Sequence, residues 1–206
     1  MLRVSTVVWD VGGVLLTNGW DHAQRNSVLE HFGVAREPFE TIHAELNDSW
    51  EKGRLTAEEY LQKAIFQEPR SFTPEEFLEK MKEQSVLLPN TAMGILGQVA
   101  ASDELAVAML NNESRELNEH RLRTFNLYEF FDCFISSCYV GIRKPNEEIY
   151  KLVLSILQRD PDEVVFIDDR PANVEAAKKQ GIHGIVHVTA AETAQELQRL
   201  GIPLKA

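Results

Sequence analysis

Val7-Val8-Trp9-Asp10-Val11-Gly12-Gly13-Val14-Leu15-Leu16 decides how the chain is read, because an apolar run ends there in one carboxylate and two glycines. Residues 4–9 are rich in β-branched and aromatic side chains without clean alternation, which predicts a parallel strand covered by helices on both faces. Ligands of open parallel sheets bind beyond the carboxyl ends of the strands. Asp10 is therefore placed at the mouth of a site, with glycines that let backbone come close. A carboxylate there is a candidate nucleophile, since attack on phosphorus gives an aspartyl-phosphate and splits one hard displacement into two. Taken alone, Asp-x-Gly-Gly is also an ordinary turn out of a strand, so the rest of the chain has to decide.

After a polar loop at 17–20, strands disappear for about seventy residues. Residues 21–32 and 38–50 carry apolar side chains at helical spacing, ended by Gly33 and Gly53. Thr56-Ala57-Glu58-Glu59 and Thr73-Pro74-Glu75-Glu76 are capping-box starts for helices through 66 and 85. From 87 the pattern alternates. Helices are predicted over 90–101 (opened by Pro89 and Asn90), 113–125, 146–157, 171–180 and 191–200, with strands over 104–110, 133–137, 164–167 and 182–188. Alternation of this kind means parallel strands joined by right-handed crossovers. The expected fold class is α/β: a Rossmann-like parallel-sheet core from 1–17 and 87–206, interrupted by a helical insert at 18–86.

The 206 residues, 44% of them hydrophobic, are enough for a real core. A net charge of -11 argues against a nucleic-acid or anionic-membrane surface, and it makes a phosphate ligand depend on a local cation. Cys133 and Cys138 lie in an apolar segment with no metal spacing or disulfide framework, and read as core thiols. No charged-then-apolar leader precedes the first strand and no apolar run nears the roughly 18 residues of a membrane helix, so a reducing cytoplasm is the expected compartment.

Each predicted strand end carries polar residues: Asp10 after the first, Asn111 and Asn112 after residues 106–110, Lys144 beyond 133–137, Asp168 and Asp169 after 164–167. In a parallel sheet these ends share one edge. Three carboxylates together repel one another unless a cation sits among them, and an all-oxygen cluster suits Mg²⁺. Lys144 supplies a further cation, and Asn111 with the start of the next helix supplies donors for a phosphoryl oxygen. Singly, Lys-Pro reads as a solvated turn and Asn-Asn or Asp-Asp as helix N-caps. It is their joint appearance in this order that points to a site.

These residues resemble the four motifs of the haloacid dehalogenase superfamily of phosphatases. The resemblance implies Asp10 as nucleophile and metal ligand, Asn111, Asn112 and Lys144 as phosphate binders, Asp169 with Asp168 as further metal ligands, and Asn173 as support for Lys144. It also implies that the insert is a cap closing over the site. One position departs from the pattern. The family usually has a second Asp two residues after the first, which protonates the leaving group and activates water; here it is Gly12, whose carbonyl can still ligate magnesium. Loss of such a group typically costs about 10²- to 10⁴-fold in rate. Asp21 or His22 is a candidate replacement, against the plainer reading of Asp21 as an N-cap.

The expected function is Mg²⁺-dependent hydrolysis of a small phosphorylated metabolite, a sugar phosphate among the candidates, by a monomer or homodimer. Two alternatives stand beside it: a metal-free haloacid dehalogenase, disfavoured by the paired acids, and a phosphate- or protein-binding module that lost turnover with its acid. Trp20, His22, His43, Asn47 and Trp50 are the insert residues that would face a substrate, or else pack or lie at the surface.

Overall fold

In the computed structural model, which describes residues 4–89 and 91–204, the opening apolar run forms β1 (Thr6–Trp9) with all four residues buried. Its lack of alternation has a direct cause: Val7 and Trp9 pack with Leu96, Val99 and Leu197 on one face, while Val8 packs with Ile149, Tyr150 and Ala177 on the other. The remaining strands are β2 (Ala106–Asn111), β3 (Cys133–Ser136), β4 (Val164–Asp168) and β5 (His183–Val186). They form one parallel sheet in the order β3-β2-β1-β4-β5. Trp9 lies opposite both Met109 and Ile167, which sets Asp10 level with Leu110 and Asp168. The switch in strand order beside β1 opens the crevice at that edge.

The insert consists of α1 (His22–His31), α2 (Arg36–Glu51), α3 (Ala57–Ala64) and α4 (Pro74–Lys82). Both expected capping boxes form, Thr56 with Glu59 and Thr73 with Glu76. Helix α2 starts before Pro38, which sits in its first turn where a missing N–H costs nothing. These helices share an aromatic cluster of Trp20, Phe39, Trp50, Tyr60 and Phe77, with Trp50 and Tyr60 stacked at 4.0 Å. The sheet is flanked by α5 (Met93–Ala100), α6 (Arg115–Thr124), α7 (Ser137–Val140), α8 (Glu147–Leu157), α9 (Pro171–Lys179) and α10 (Ala190–Arg199). Asn90, at the expected opening of α5, lies outside the described residues, as do 1–3 and 205–206. The short helix α7 takes over at Ser137, where the sequence suggested the end of a strand. Cys133 and Cys138 are free thiols, the second buried. Among the described residues no helix is long and apolar enough to cross a membrane.

Insert and core meet closely at the end of α2. Ser137 Oγ donates to the Glu51 carbonyl at 2.6 Å, and a Cβ on Gly53 would run into the Cys138 carbonyl. Gly53 and Gly33 both have left-handed backbones, φ +66° and +64°, but Gly33 has open space around it. Gly33→Ala is expected to cost about 1–2 kcal/mol, the left-handed strain alone. Gly53→Ala should cost clearly more and lower the thermal midpoint further; equal shifts in the two variants would contradict the tight contact.

Candidate active site

Lys144, in the loop between α7 and α8, is 2% exposed, and its ammonium meets three acceptors. Nζ lies 2.9 Å from Asp10 Oδ1 and donates to Asp168 Oδ2 at 2.7 Å and to the Leu110 carbonyl at 2.9 Å. All three N–H bonds are thus used. The loop carrying it is clamped by Asn112, whose Oδ1 accepts from the Lys144 N–H and whose Nδ2 donates to the Lys144 carbonyl, each at 2.9 Å.

Asp10 Oδ1 also accepts from the Val11 N–H at 2.8 Å. Asp168 is fully buried at the end of β4, where Oδ1 accepts from Arg170 N–H and both oxygens accept from Asn173 Nδ2. Asn173 therefore supports Lys144 through Asp168. Asp169 turns toward β1: Oδ2 accepts from Asn18 Nδ2 at 3.3 Å, and Oδ1 is buried without a partner. Gly13, with φ +71°, lies so close that any Cβ would overlap the Asp169 carboxylate.

Burial, opposed by Lys144 and reinforced by Asp168 and Asp169, pushes Asp10 up to about 7. Burial likewise raises Asp169 above the usual carboxylate range. Burial by itself would lower Lys144, but Asp10 and Asp168 outweigh it and hold the ammonium above its ordinary value. Asp10, Asp168 and Asp169 each bring one oxygen within 4.8 Å of the others. Three carboxylates face one lysine, and Asp169 keeps a buried oxygen unpaired. That donor set fits a hard divalent cation.

The two asparagines divide, because successive strand residues point to opposite sides. Asn112 lines the crevice, with both ends of its amide engaged on the Lys144 backbone. Asn111 turns the other way and donates to Asn118 Oδ1 at 3.0 Å. This corrects its expected place: the Asn111 side chain is buried against α6 rather than presented to the crevice.

The crevice becomes a cavity of about 270 Å³ where the insert covers it. Gly12 lines it from the core, and Trp20 and Asn47 from the insert. The other insert residues singled out in the sequence lie elsewhere: His43 accepts or donates at Tyr60 Oη inside the aromatic cluster, Trp50 is buried on Tyr60, and the exposed His22 rests on Arg25. Asp21 lines the cavity while capping α1 and pairing with Arg170 at 3.3 Å.

Six charged residues on the cavity wall escaped the sequence reading: Arg25, Glu51, Glu113, Arg121, Arg143 and Arg170. Arg25 is held by Glu40, Arg143 reaches Glu51 at 3.1 Å, and Arg121 pairs with Glu113 at 3.0 Å. Arg25 falls on the stripe of Val28 and Leu29, and Arg121 on that of Leu117 and Leu122. A charge within an apolar stripe was the available signal.

The haloacid dehalogenase-like hydrolase family matches residues 4–181. The chain is 32% identical over 174 residues to flavin mononucleotide hydrolase 1 of Arabidopsis thaliana, covering 83% of this chain and 69% of that protein. It is 26% identical over 195 residues to sesquiterpene phosphatase astK of Aspergillus oryzae, covering 94% of each. A HAD family enzyme from Bacteroides thetaiotaomicron, solved with magnesium and inorganic phosphate, superposes with a TM-score of 0.74 at 21% identity, covering 90% of this chain and 95% of that one. This last likeness is one of fold.

Lys144→Met would leave Asp10 and Asp168 buried without their cation, a loss of about 3–5 kcal/mol at pH 8. Asp10 then titrates higher still, so at pH 5.5 it is neutral in the folded variant while largely ionised in the unfolded chain, and the penalty shrinks as pH falls. Urea unfolding at both pH values checks this; an equal penalty would contradict it.

Proposed function

Because this chain belongs to the haloacid dehalogenase-like hydrolase family, we propose that it is a Mg²⁺-dependent phosphatase acting on a small phosphomonoester through an aspartyl-phosphate on Asp10. The observation that carries the reading is the contact of Asp10 with Lys144 beside the unpaired Asp169 oxygen. A dehalogenase attacking carbon has no use for a third carboxylate in such a place. A phosphatase needs it to hold the cation that offsets repulsion between an anionic nucleophile and an anionic substrate.

Asp10, Asp169 and Asp168, with the Gly12 carbonyl, would hold the magnesium, which supplies positive charge at the phosphoryl oxygens. The other roles belong to the chain's own residues. Lys144 fixes Asp10 Oδ1, so the carboxylate is oriented before substrate arrives, and its charge remains next to the transferred group. Asn112 holds the Lys144 backbone, and Asn173 holds Asp168 behind it. The insert excludes bulk water from the aspartyl-phosphate until one water attacks.

The cavity supports a sugar phosphate or similar polyol ester as substrate. At about 270 Å³ it falls below the roughly 300–1,000 Å³ of sites for drug-sized ligands, and its wall carries Asn47, Glu51, Arg25 and Arg143 beside a single tryptophan. A flavin or terpenyl group would ask for a larger or more apolar space.

Purified protein assayed on sugar phosphates and p-nitrophenyl phosphate is expected to turn over only with Mg²⁺, to stop with EDTA, and to lose turnover in Asp10→Asn. Activity that survives EDTA would overturn the reading, as would an active Asp10→Asn. Since Asp10 lies near 7 before the metal arrives, Mg²⁺ binding followed by titration calorimetry should tighten as pH rises from 6 to 8, with proton release. Affinity independent of pH across that window would contradict a metal-binding Asp10 carboxyl raised to about 7.

A further inference from the structure

In an in-line displacement the leaving oxygen lies on the far side of phosphorus from the attacking one, here away from Asp10 and toward the insert. Gly12, two residues past Asp10, presents no side chain to that space. A Cβ built there would stand 2.9 Å from Asn18 Oδ1 and 3.7 Å from Arg121 Nη1. The Asn18 amide is the nearest group to the position of the missing acid, and the cation that stands beside it there is the Arg121 guanidinium.

Arg121 comes from α6, is 2% exposed and lines the cavity together with Gly12, Asn18 and Glu113. Its Nε donates to Ser85 Oγ at 3.1 Å, its Nη2 to the Thr17 carbonyl at 3.2 Å, and its Nη1 lies 3.0 Å from Glu113 Oε2. Thr17 and Ser85 sit on the two segments by which the chain leaves and re-enters the core, so the guanidinium is pinned at both crossings. These contacts use three of the five N–H bonds of a guanidinium, which leaves one on each terminal nitrogen. The other arginines of the cavity are tied to the insert or its rim: Arg25 to Glu40, Arg143 to Glu51, and the exposed Arg170 to Asp21. Asp21, offered by the sequence as a proton source, is spent on its N-cap and on Arg170.

We propose that Arg121 binds the leaving-group oxygen and stabilises it as an alkoxide, replacing by hydrogen bonding the proton transfer that Gly12 cannot perform. The proposal rests on the phosphatase reading above. In the first step an Asp10 oxygen bonds to phosphorus, the bond from phosphorus to the ester oxygen breaks, and its electron pair stays on that oxygen facing Arg121. A guanidinium does not give up its proton near neutrality, so the alkoxide takes one from water and leaves hydroxide. Hydroxide then attacks the aspartyl-phosphate, releasing hydrogen phosphate and restoring the Asp10 carboxylate.

The test compares Arg121→Met and Arg121→Lys on two esters with Mg²⁺ present: p-nitrophenyl phosphate, whose leaving anion is stable by itself, and the best alkyl or sugar phosphate of the panel. Arg121→Met should lower kcat on the alkyl ester by about 10²- to 10³-fold, the usual loss of one oxyanion donor, and on the nitrophenyl ester far less. Arg121→Lys, which keeps a charge, should recover part of the alkyl loss. Equal losses on the two esters, with the wild type active, would overturn the assignment and leave the phosphatase reading standing. Should the variants not fold, the wild type decides: kcat on the alkyl ester should not fall between pH 7 and 9, because no proton donor titrates. A fall there that is absent with p-nitrophenyl phosphate would overturn the proposal. A wild type that hydrolyses neither ester overturns the phosphatase reading itself.

Discussion

One buried ammonium holds the carboxyl edge of the sheet together. Lys144 reaches across from the β3 side to the ends of β1, β2 and β4, meeting Asp10, the Leu110 carbonyl and Asp168 at 2.7–2.9 Å. Its position follows from the sheet order, since β2 and β4 flank β1 and their ends converge on one point. The Phe166 ring, 5.3 Å away, and the Asn112 clamp leave it one place to be. A lysine buried this way is stable only with its full complement of acceptors, so the carboxylates are as much a condition of the fold as of the chemistry.

The same cluster is short of positive charge. Two carboxylates are compensated by Lys144, while Asp169 has one weak amide contact and an unpaired oxygen. Fold stability by itself would favour replacing Asp169 with a neutral residue. The acid instead sits where Gly13 makes room for it, and a site that stays electrostatically incomplete until a cation binds is suited to a phosphate ester. Asp10, raised to about 7, shows the same incompleteness.

The insert adds shape and polarity rather than nucleophilic chemistry. Its aromatic cluster gives it a core of its own, joined by Leu117 of α6, and two of its ion pairs to the sheet domain, Asp21 with Arg170 and Glu51 with Arg143, stand on the cavity wall. These contacts differ in weight. Asp21 and Arg170 are both substantially exposed and contribute little, whereas the bond from Arg121 to Ser85 is buried, with the guanidinium held on its core side by Glu113.

By itself the sequence determined the alternation of β and α elements, the insert and the convergence of Asp10, Lys144 and Asp168-Asp169, because each is written locally, as an apolar run ending in a polar residue or as a capping box. Parallel topology then carries such strand ends to one edge whatever the details. Only the tertiary structure decided that Asn111 turns inward while Asn112 clamps Lys144, since strand parity at a chain end depends on where pairing stops. It also decided that Trp50 and His43 belong to the aromatic cluster and that Arg25 and Arg121 reach the cavity. On a helix these residues share one face, and which part of that face meets packing or a cavity is set by the neighbouring element, through contacts far apart in the chain.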